Sequence, residues 1–447
     1  MKLYLHRVYV LSIILLFFNL SACKKDNQDP VVQPPKVDPT VPEPVAPTIT
    51  TITPDNGISG TAVTITGTGF STVLTENVVT LNDKKCTVTA ATSTSLTITI
   101  PPGAGSGNIV VTTNSKSAKS ASPFRYMQTI TVTTVAGSSQ GYADGEVMNA
   151  KFWLPHSITT ASDGTIYITE FANRRIRKIS PNGIVSTVAG DGLSGYTDGP
   201  AAQAQFAALT GIAIASDGTL YVSDNHMIRK ITPDGIVSTL AGSSQGYADG
   251  PAAQALFTYP TGIKIANDGT LYIVDGNGNR IRKISPNGIV STVAGNGTKG
   301  YTDGPAAQAQ FEIPYDIAVA SDGTLYVVEG HMIRKITPDG IVSTLAGSRE
   351  RGIKNGVGIE ARFYDPMGIA VASNGTLYVT ESSYHRIREI TPDGVVTTLA
   401  GGPFDGYADG TATEARFYQP KGITIANDST LYVVDHANHK IRKITMR

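Results

Sequence analysis

The sequence predicts an all-β chain in which a small β-sandwich is followed by a six-bladed β-propeller. Two observations carry this. Phe152, Phe206, Phe257, Phe311, Phe363 and Phe417 recur at steps of 54, 51, 54, 52 and 54 residues, each heading a unit of four short apolar stretches. Ahead of them lies a region where Thr, Val and Ile alternate with turn residues, the period of half-buried strands.

Each unit reads the same way. An apolar strand ends in a turn such as Ser162-Asp163-Gly164-Thr165. Ile/Leu-Tyr-Ile/Val follows, then a loop, then Ile-Arg-Lys-Ile. A Pro-Asp/Asn-Gly turn leads to Ile-Val-Ser-Thr-Leu/Val-Ala-Gly. Four strands with a period near 50 make one propeller blade. The unit resembles the NHL repeat, and the resemblance covers residues 128–447. The sixth unit stops after Ile441-Arg-Lys-Ile444, one strand short. Val132-Thr-Thr-Val-Ala-Gly137 matches Val185-Ser-Thr-Val-Ala-Gly190, so the first strand is expected to complete the last blade. Closure removes exposed sheet edges.

Residues 47–127 hold the runs Val63-Thr-Ile-Thr66, Val78-Val-Thr-Leu81, Leu96-Thr-Ile-Thr-Ile100 and Asn108-Ile-Val-Val-Thr112. Period-2 alternation broken by Gly, Pro and Asn reads as an Ig-like β-sandwich. Pro47, Pro54, Gly57, Gly60 and Val63-Thr-Ile-Thr-Gly67-Thr-Gly69-Phe70 resemble the IPT/TIG family, which implies a spacer or interaction module. Cys86 lies in an alternating run and reads as a small buried hydrophobe.

The start of the chain reads as an address. Lys2, His6 and Arg7 precede a 13-residue, almost wholly apolar stretch at 8–20. That is short for a bilayer span and right for a signal peptide. It ends in Leu20-Ser21-Ala22-Cys23, which resembles a lipobox. Residues 1–22 are expected to be a lipoprotein signal peptide and Cys23 to be lipidated. Lys24-Lys25-Asp26-Asn27-Gln28-Asp29 resembles the surface-export signal of Bacteroidetes lipoproteins. Seven prolines then fall within residues 30–47. Such a segment stays extended, so residues 23–46 read as a tether reaching on the order of 70 Å at ~3.1 Å per residue. These features together imply an outer-membrane lipoprotein exposed at the cell surface, with the membrane as partner through its lipid.

Formal net charge is zero, so there is no basic field for nucleic acid. No phosphate loop, nucleophile elbow, zinc motif or calcium loop is present. No catalytic residue, metal site or cofactor is expected. Six acids recur where the second strand ends: Glu170, Asp224, Asp275, Glu329, Glu381 and Asp435. They read either as a ring around a cation or as groups that each cap their own hairpin or pair with their blade's arginine: Arg177, Arg229, Arg282, Arg334, Arg388 and Arg442. Repetition in every blade favours the second. Connectors repeat Gly-Tyr-x-Asp-Gly at Tyr142, Tyr196, Tyr247, Tyr301 and Tyr407; these rings could stack on sugars, but each is expected to pack inside its own loop, above the small residues and the Phe that start the next blade. One connector departs, Gly352-Ile-Lys-Asn-Gly356. Five of the seven histidines fall in the loops between the second and third strands: His226, His331, His385, His436 and His439. Imidazoles could bind a metal, but these sit on different blades.

Positions that diverge between near-identical blades are the better candidates for a single site. Just before the inner strand the residues are His156, Thr210, Thr261, Tyr315, Met367 and Lys421. Next to them, Asp316 and Ser157 replace a Gly found in the other four blades. His156, Thr210, Thr261, Tyr315, Asp316, Met367 and Lys421 are therefore expected to surround the channel mouth and bind a ligand. The reading is a surface capture protein for a glycan or a protein partner. The alternative is a propeller lyase or hydrolase, its candidate groups being His156, Glu170, Asp316 and Asp435. Cys23→Ser is expected to move the protein out of the membrane fraction or leave it unprocessed. Full membrane retention with native mobility would refute the lipid anchor.

Overall fold

In the computed structural model, residues 45–427 and 429–447 are described. The expected leader, Cys23 and all but the last two residues of the tether lie outside them. Among the described residues, no helix is long and apolar enough to cross a membrane.

Residues 48–126 form a seven-stranded sheet. Thr48–Thr53 pairs with Ala62–Thr68, which pairs with Ser95–Thr99. Asn77–Leu81 pairs with Ile109–Thr113, and this with Lys116–Lys119. Lys84–Ala91 belongs to both halves, pairing with Asn77–Leu81 through Cys86 and with Ser95–Thr99 beyond it. The sheet folds over on this strand. Val63, Ile65, Leu96 and Ile98 from one half pack with Val79, Leu81, Ile109 and Val111 from the other. Period-2 alternation puts these residues inward and the threonines outward. Phe70 and Cys86 are buried in the same core, and burial pushes the Cys86 thiol up to about 11.

The rest is the six-bladed propeller. Blade 1 runs Pro155–Thr160, Ile166–Glu170, Arg175–Ile179 and Ile184–Ala189 from the axis outward. Five more antiparallel sheets repeat it. In blade 6, Ile130–Ala136 pairs with Lys440–Met446, with Val132 opposite Ile444 and Thr134 opposite Arg442. The ring is thus closed by its N-terminal strand, as the repeat register predicts. Neighbouring blades meet through apolar layers. One such layer joins Phe206, Leu209 and Val222 of blade 2 to Ile176 and Ala189 of blade 1.

The four-strand reading needs one addition. The end of each connector forms a two-residue fifth strand on the outer edge: Gly145–Glu146 pairs with Val185 and Ile184. Gly145 has φ of 127°, a conformation open to glycine but strained for other residues. That is why Gly-Tyr-x-Asp-Gly ends in glycine.

Deleting residues 128–137 should strip the sixth blade of its fourth strand and expose Ile441, Ile444 and their neighbours. A lower melting temperature and aggregation are expected. An unchanged melting curve would remove the basis for closure.

Candidate functional site at the channel mouth

The recurrent acids, arginines and phenylalanines build one framework. Arg177 is fully buried. Its guanidinium donates to Asp144, Glu170 and the carbonyls of Lys151 and Ala143, so all five N–H groups are used. Arg282 and Arg334 do the same in their blades. The inner acid also accepts a connector N–H, as Glu170 does from Trp153 at 2.8 Å. Burial pushes Glu170 up against the opposing pull of Arg177, and pushes Glu329 up to about 7. The acids are therefore arginine partners and not a ring around a cation. Among the described residues, no group of three or more His, Cys, Asp or Glu is placed to hold a metal ion.

Sequence reasoning missed the second carboxylate. Asp144, Asp198, Asp249, Asp303 and Asp409 of the connectors pair with the same arginines. The fixed spacing of Asp in Gly-Tyr-x-Asp-Gly was the available signal. In the departing connector Asn355 takes its place, accepting from Arg388 at 2.9 Å. The tyrosines also lie differently from expectation. Tyr142, Tyr247 and Tyr407 are half-exposed, and each has a face against the buried arginine. The repeated Phe lies against that arginine too. The cation attracts both rings, so the tyrosine sits on the arginine and not directly above the Phe.

Three of the loop histidines are latches between blades. Nδ1 of His439 accepts the Leu154 N–H, that of His226 the Tyr259 N–H, and that of His385 the Gln419 N–H. Asn279 does the same for Ile313 with its Oδ1. Leu154, Tyr259, Ile313 and Gln419 all have φ near +50°, a strained region for residues with a Cβ. His436 bonds the Pro155 carbonyl at 2.6 Å.

The inner strands bring the expected site residues together. Each carries a bulge after its first residue, as at Pro155/Ser157 and Pro314/Asp316, and a bulge re-aims side chains. His156, Thr210, Thr261, Tyr315, Asp316, Met367 and Lys421 all line one constriction of about 30 Å³ on the axis, room for one or two water molecules. Their environments differ. The Thr210 and Thr261 hydroxyls donate to the Pro260 and Pro314 carbonyls of the next blade. Asp316 accepts the Ile369 N–H, and burial pushes its carboxyl up. Desolvation holds the His156 imidazole well down, and its buried Nδ1 has no hydrogen-bond partner. Tyr315 is 37% exposed. Of the acids in the enzyme reading, only Asp316 lies on this ring.

One junction stands apart. Between blades 4 and 5 the constriction opens into a cavity of about 310 Å³, lined by Tyr301, Tyr315, His331, Asp365 and Met367 among others. This reaches the lower end of ligand-pocket size. Here the latch is undone, and His331 Nδ1 is buried without a partner. The departing connector lies alongside, with Arg349 over the Tyr301 ring and Arg351 bonded to the Tyr364 hydroxyl.

The chain carries an IPT/TIG domain followed by NHL repeats. The IPT/TIG domain profile matches residues 47–126, and the teneurin NHL domain profile matches residues 190–252, 246–305 and 297–357. Teneurin-3 of Danio rerio is 29% identical over 358 residues, covering 69% of this chain but 12% of the relative. Teneurin-m of Drosophila melanogaster is 28% identical over 349 residues, 67% of this chain and 12% of the relative. The chain thus spans about an eighth of the length of these relatives. Among solved structures, a Bacteroides thetaiotaomicron protein of unknown function aligns with TM-score 0.61 at 20% identity, covering 92% of this chain and 99% of its own. An auxiliary nutrient binding protein from Bacteroides ovatus aligns with TM-score 0.56 at 18% identity, covering 91% and 99%. At these identities the likeness is one of fold.

Burial holds the latch histidines His226, His385 and His439 below their ordinary value of 6.5. A depressed imidazole takes up its proton more readily in the unfolded chain, so acid favours unfolding. The latch contribution is complete above pH 6.5 and is lost as the pH falls through the lower folded values. Asn279 shows that asparagine can serve in this place. The triple change His226→Asn, His385→Asn, His439→Asn should keep the pH 7.5 melting temperature within a few degrees and flatten its fall toward pH 4.5. An acid limb as steep as that of wild type would show that the latches do not titrate.

Proposed function

We propose that the protein is a lipid-anchored, cell-surface binding protein of the outer membrane. In this reading the mouth of its propeller captures a glycan or a protein partner. The observation that carries this is asymmetry within a repeat. The 4/5 junction brings together an unlatched histidine, a connector that abandons the repeat, and a ligand-sized cavity bordered by Tyr315 and Met367 of the axial ring. The opposite face keeps its Asp-Gly-Thr turns, where Asp163, Asp217, Asp268 and Asp322 each accept the backbone N–H of the following Thr. Those bonds account for the repetition there without a ligand. The description of a similar Bacteroides propeller as an auxiliary nutrient binding protein supports a capture role. So do the lipobox-like Leu20-Ser21-Ala22-Cys23 and the proline-rich tether, which would hold the domains away from a membrane.

A glycan and peptide binding screen with the mature protein tests this reading. Tyr315→Ala removes an exposed ring shared by the axial constriction and the side cavity. It should weaken binding by about 1–2 kcal/mol, the usual range for a central contact, and leave the melting temperature nearly unchanged. Asp217→Ala and Asp322→Ala on the opposite face should lower the melting temperature and spare affinity. Native affinity in Tyr315→Ala would move the site away from the mouth.

A further inference from the structure

Blades 2 and 4 are near-copies. Residues 190–242 and 295–347, each a connector with the blade it enters, differ at twelve of 53 positions. Eleven of the twelve fall in three short stretches: 191–194 of the connector, 207–211 around the start of the inner strand and 223–225 at the end of the second strand. The twelfth exchanges Ile214 for Val319. The opposite-face turns Asp217-Gly218-Thr219 and Pro233-Asp234-Gly235 are unchanged in blade 4. The exchanges gather at one place. Glu312, Ile313, Tyr315 and Gly330 line the cavity between blades 4 and 5, where the copy has Ala207, Ala208, Thr210 and Asn225.

At the junction of blades 2 and 3, side chains meet across the equivalent place. The Asn225 amide donates to the Tyr196 hydroxyl, and the Tyr259 ring stands edge-on to His226 at 6.5 Å. Gly330 and Asp365 hold those two places at the 4/5 junction. A Cβ on Gly330 would stand 3.2 Å from the Tyr301 hydroxyl, so the missing side chain clears the approach to that ring. The new side chains bring charge. Lys299, where the copy has Ser194, pairs with Glu312 at 2.5 Å. Asp365 accepts the Ser383 hydroxyl with Oδ2, which leaves Oδ1 for a ligand. Among the described residues, no cation pairs with Asp365.

We propose that this cavity is a subsite for a neutral sugar residue of a glycan, with Asp365 and Glu312 accepting its hydroxyls and the Tyr315 ring lying against its C–H face. The inference rests on the mouth being a binding site, and it names the place and the class of ligand. The volume of about 310 Å³ is at the small end for a ligand pocket, which suits a single ring and not a stretch of polymer. A carboxylate only accepts, and a hydroxyl is the neutral donor that a sugar carries along its edge. Two carboxylates on the walls repel an anion. Lys299 already pairs with Glu312, and Arg349 stands 5.2 Å over the Tyr301 ring. Two cations thus balance the two carboxylates, and no surplus negative charge selects a cationic ligand. The exposed Tyr315 ring supplies the apolar face that sugar C–H groups cover. A peptide backbone presents carbonyls as often as N–H groups, and a carbonyl finds no match in a carboxylate.

The test is titration calorimetry of the mature protein with neutral disaccharides built from glucose, galactose, mannose or xylose, alongside glucosamine, glucuronate and alanyl-alanine. At least one neutral disaccharide should bind. Glu312→Ala and Gly330→Asn restore the residues of the copy, where Asn225 has the same left-handed backbone as Gly330, with φ of 56° against 49°. The double variant should therefore melt within a few degrees of wild type and bind that sugar at least tenfold more weakly. Asp365→Asn, which turns one acceptor into a donor, should weaken it several-fold without refilling the cavity. Tighter binding of glucosamine, glucuronate or alanyl-alanine than of every neutral sugar would overturn the assignment. If a ligand binds in a Tyr315-dependent way and the double variant and Asp365→Asn both hold it as wild type does, this inference fails and the binding role stands. If neither these probes nor any screened ligand binds wild type, both fail.

Discussion

Six buried arginines hold the propeller together. Each comes from the third strand of its blade, lies against the phenylalanine that begins the blade, and binds the acid that ends the second strand. A buried guanidinium is tolerable only when its donors are used, and removing one partner of such a pair typically costs about 3–5 kcal/mol. The connector supplies what the strands cannot: a second carboxylate or an amide, and two carbonyls. The segment between blades is therefore fixed by the interior of the blade it enters. That explains its Asp or Asn, its constant glycine and a length that hardly varies.

A framework repeated six times makes its exceptions informative. The departing connector keeps the arginine fed with Asn355 in place of Asp, and Glu381 binds Arg386 as well as Arg388. The blade survives the exchange, and the freed sequence places Arg349 and Arg351 beside an open cavity. The latches follow the same logic. His226, His385, His439 and Asn279 all accept a strained N–H from the next blade, whereas His331 accepts none. At the 4/5 junction the missing latch coincides with the departing connector, and Tyr315 of the axial ring borders it.

The fold was legible because its causes are periodic. Phe spacing, the missing sixth-blade strand and period-2 alternation each have a one-to-one meaning in strands. The arginine–acid pairing was also legible, since a pair present in every blade must serve every blade. The roles of the connector Asp and the loop histidines were not. Asp144 lies 33 residues from Arg177, and His439 lies 285 residues from Leu154. Nothing local marks either partnership, and a histidine's likeness to a metal ligand conceals its use as a backbone acceptor. The ring positions were found from divergence alone. Their chemistry was hidden, because divergence does not distinguish Thr210, whose hydroxyl bonds a carbonyl of the next blade, from Lys421, which lines the constriction without an ion pair to any described residue.

On the proposed binding role, the inner strands leave selectivity at the mouth to side chains. A Cβ added to Gly211 would stand 2.2 Å from the Thr261 carbonyl oxygen, and one on Gly368 would stand 2.3 Å from that of Lys421. Neighbouring inner strands touch through these glycines, and the closed ring gives them nowhere to move. Where the glycine is replaced, the new group must fit the contact: Asp316 lies against Gly262, and Ser157 against Gly422. A backbone this confined is already arranged before a ligand arrives, which reduces the ordering cost of binding. It also cannot close over a ligand by moving one blade. Six neighbouring positions on a rigid rim can be exchanged singly without disturbing the framework beneath them. Lysine, histidine, tyrosine and methionine can thus share one ring while the arginines below stay the same.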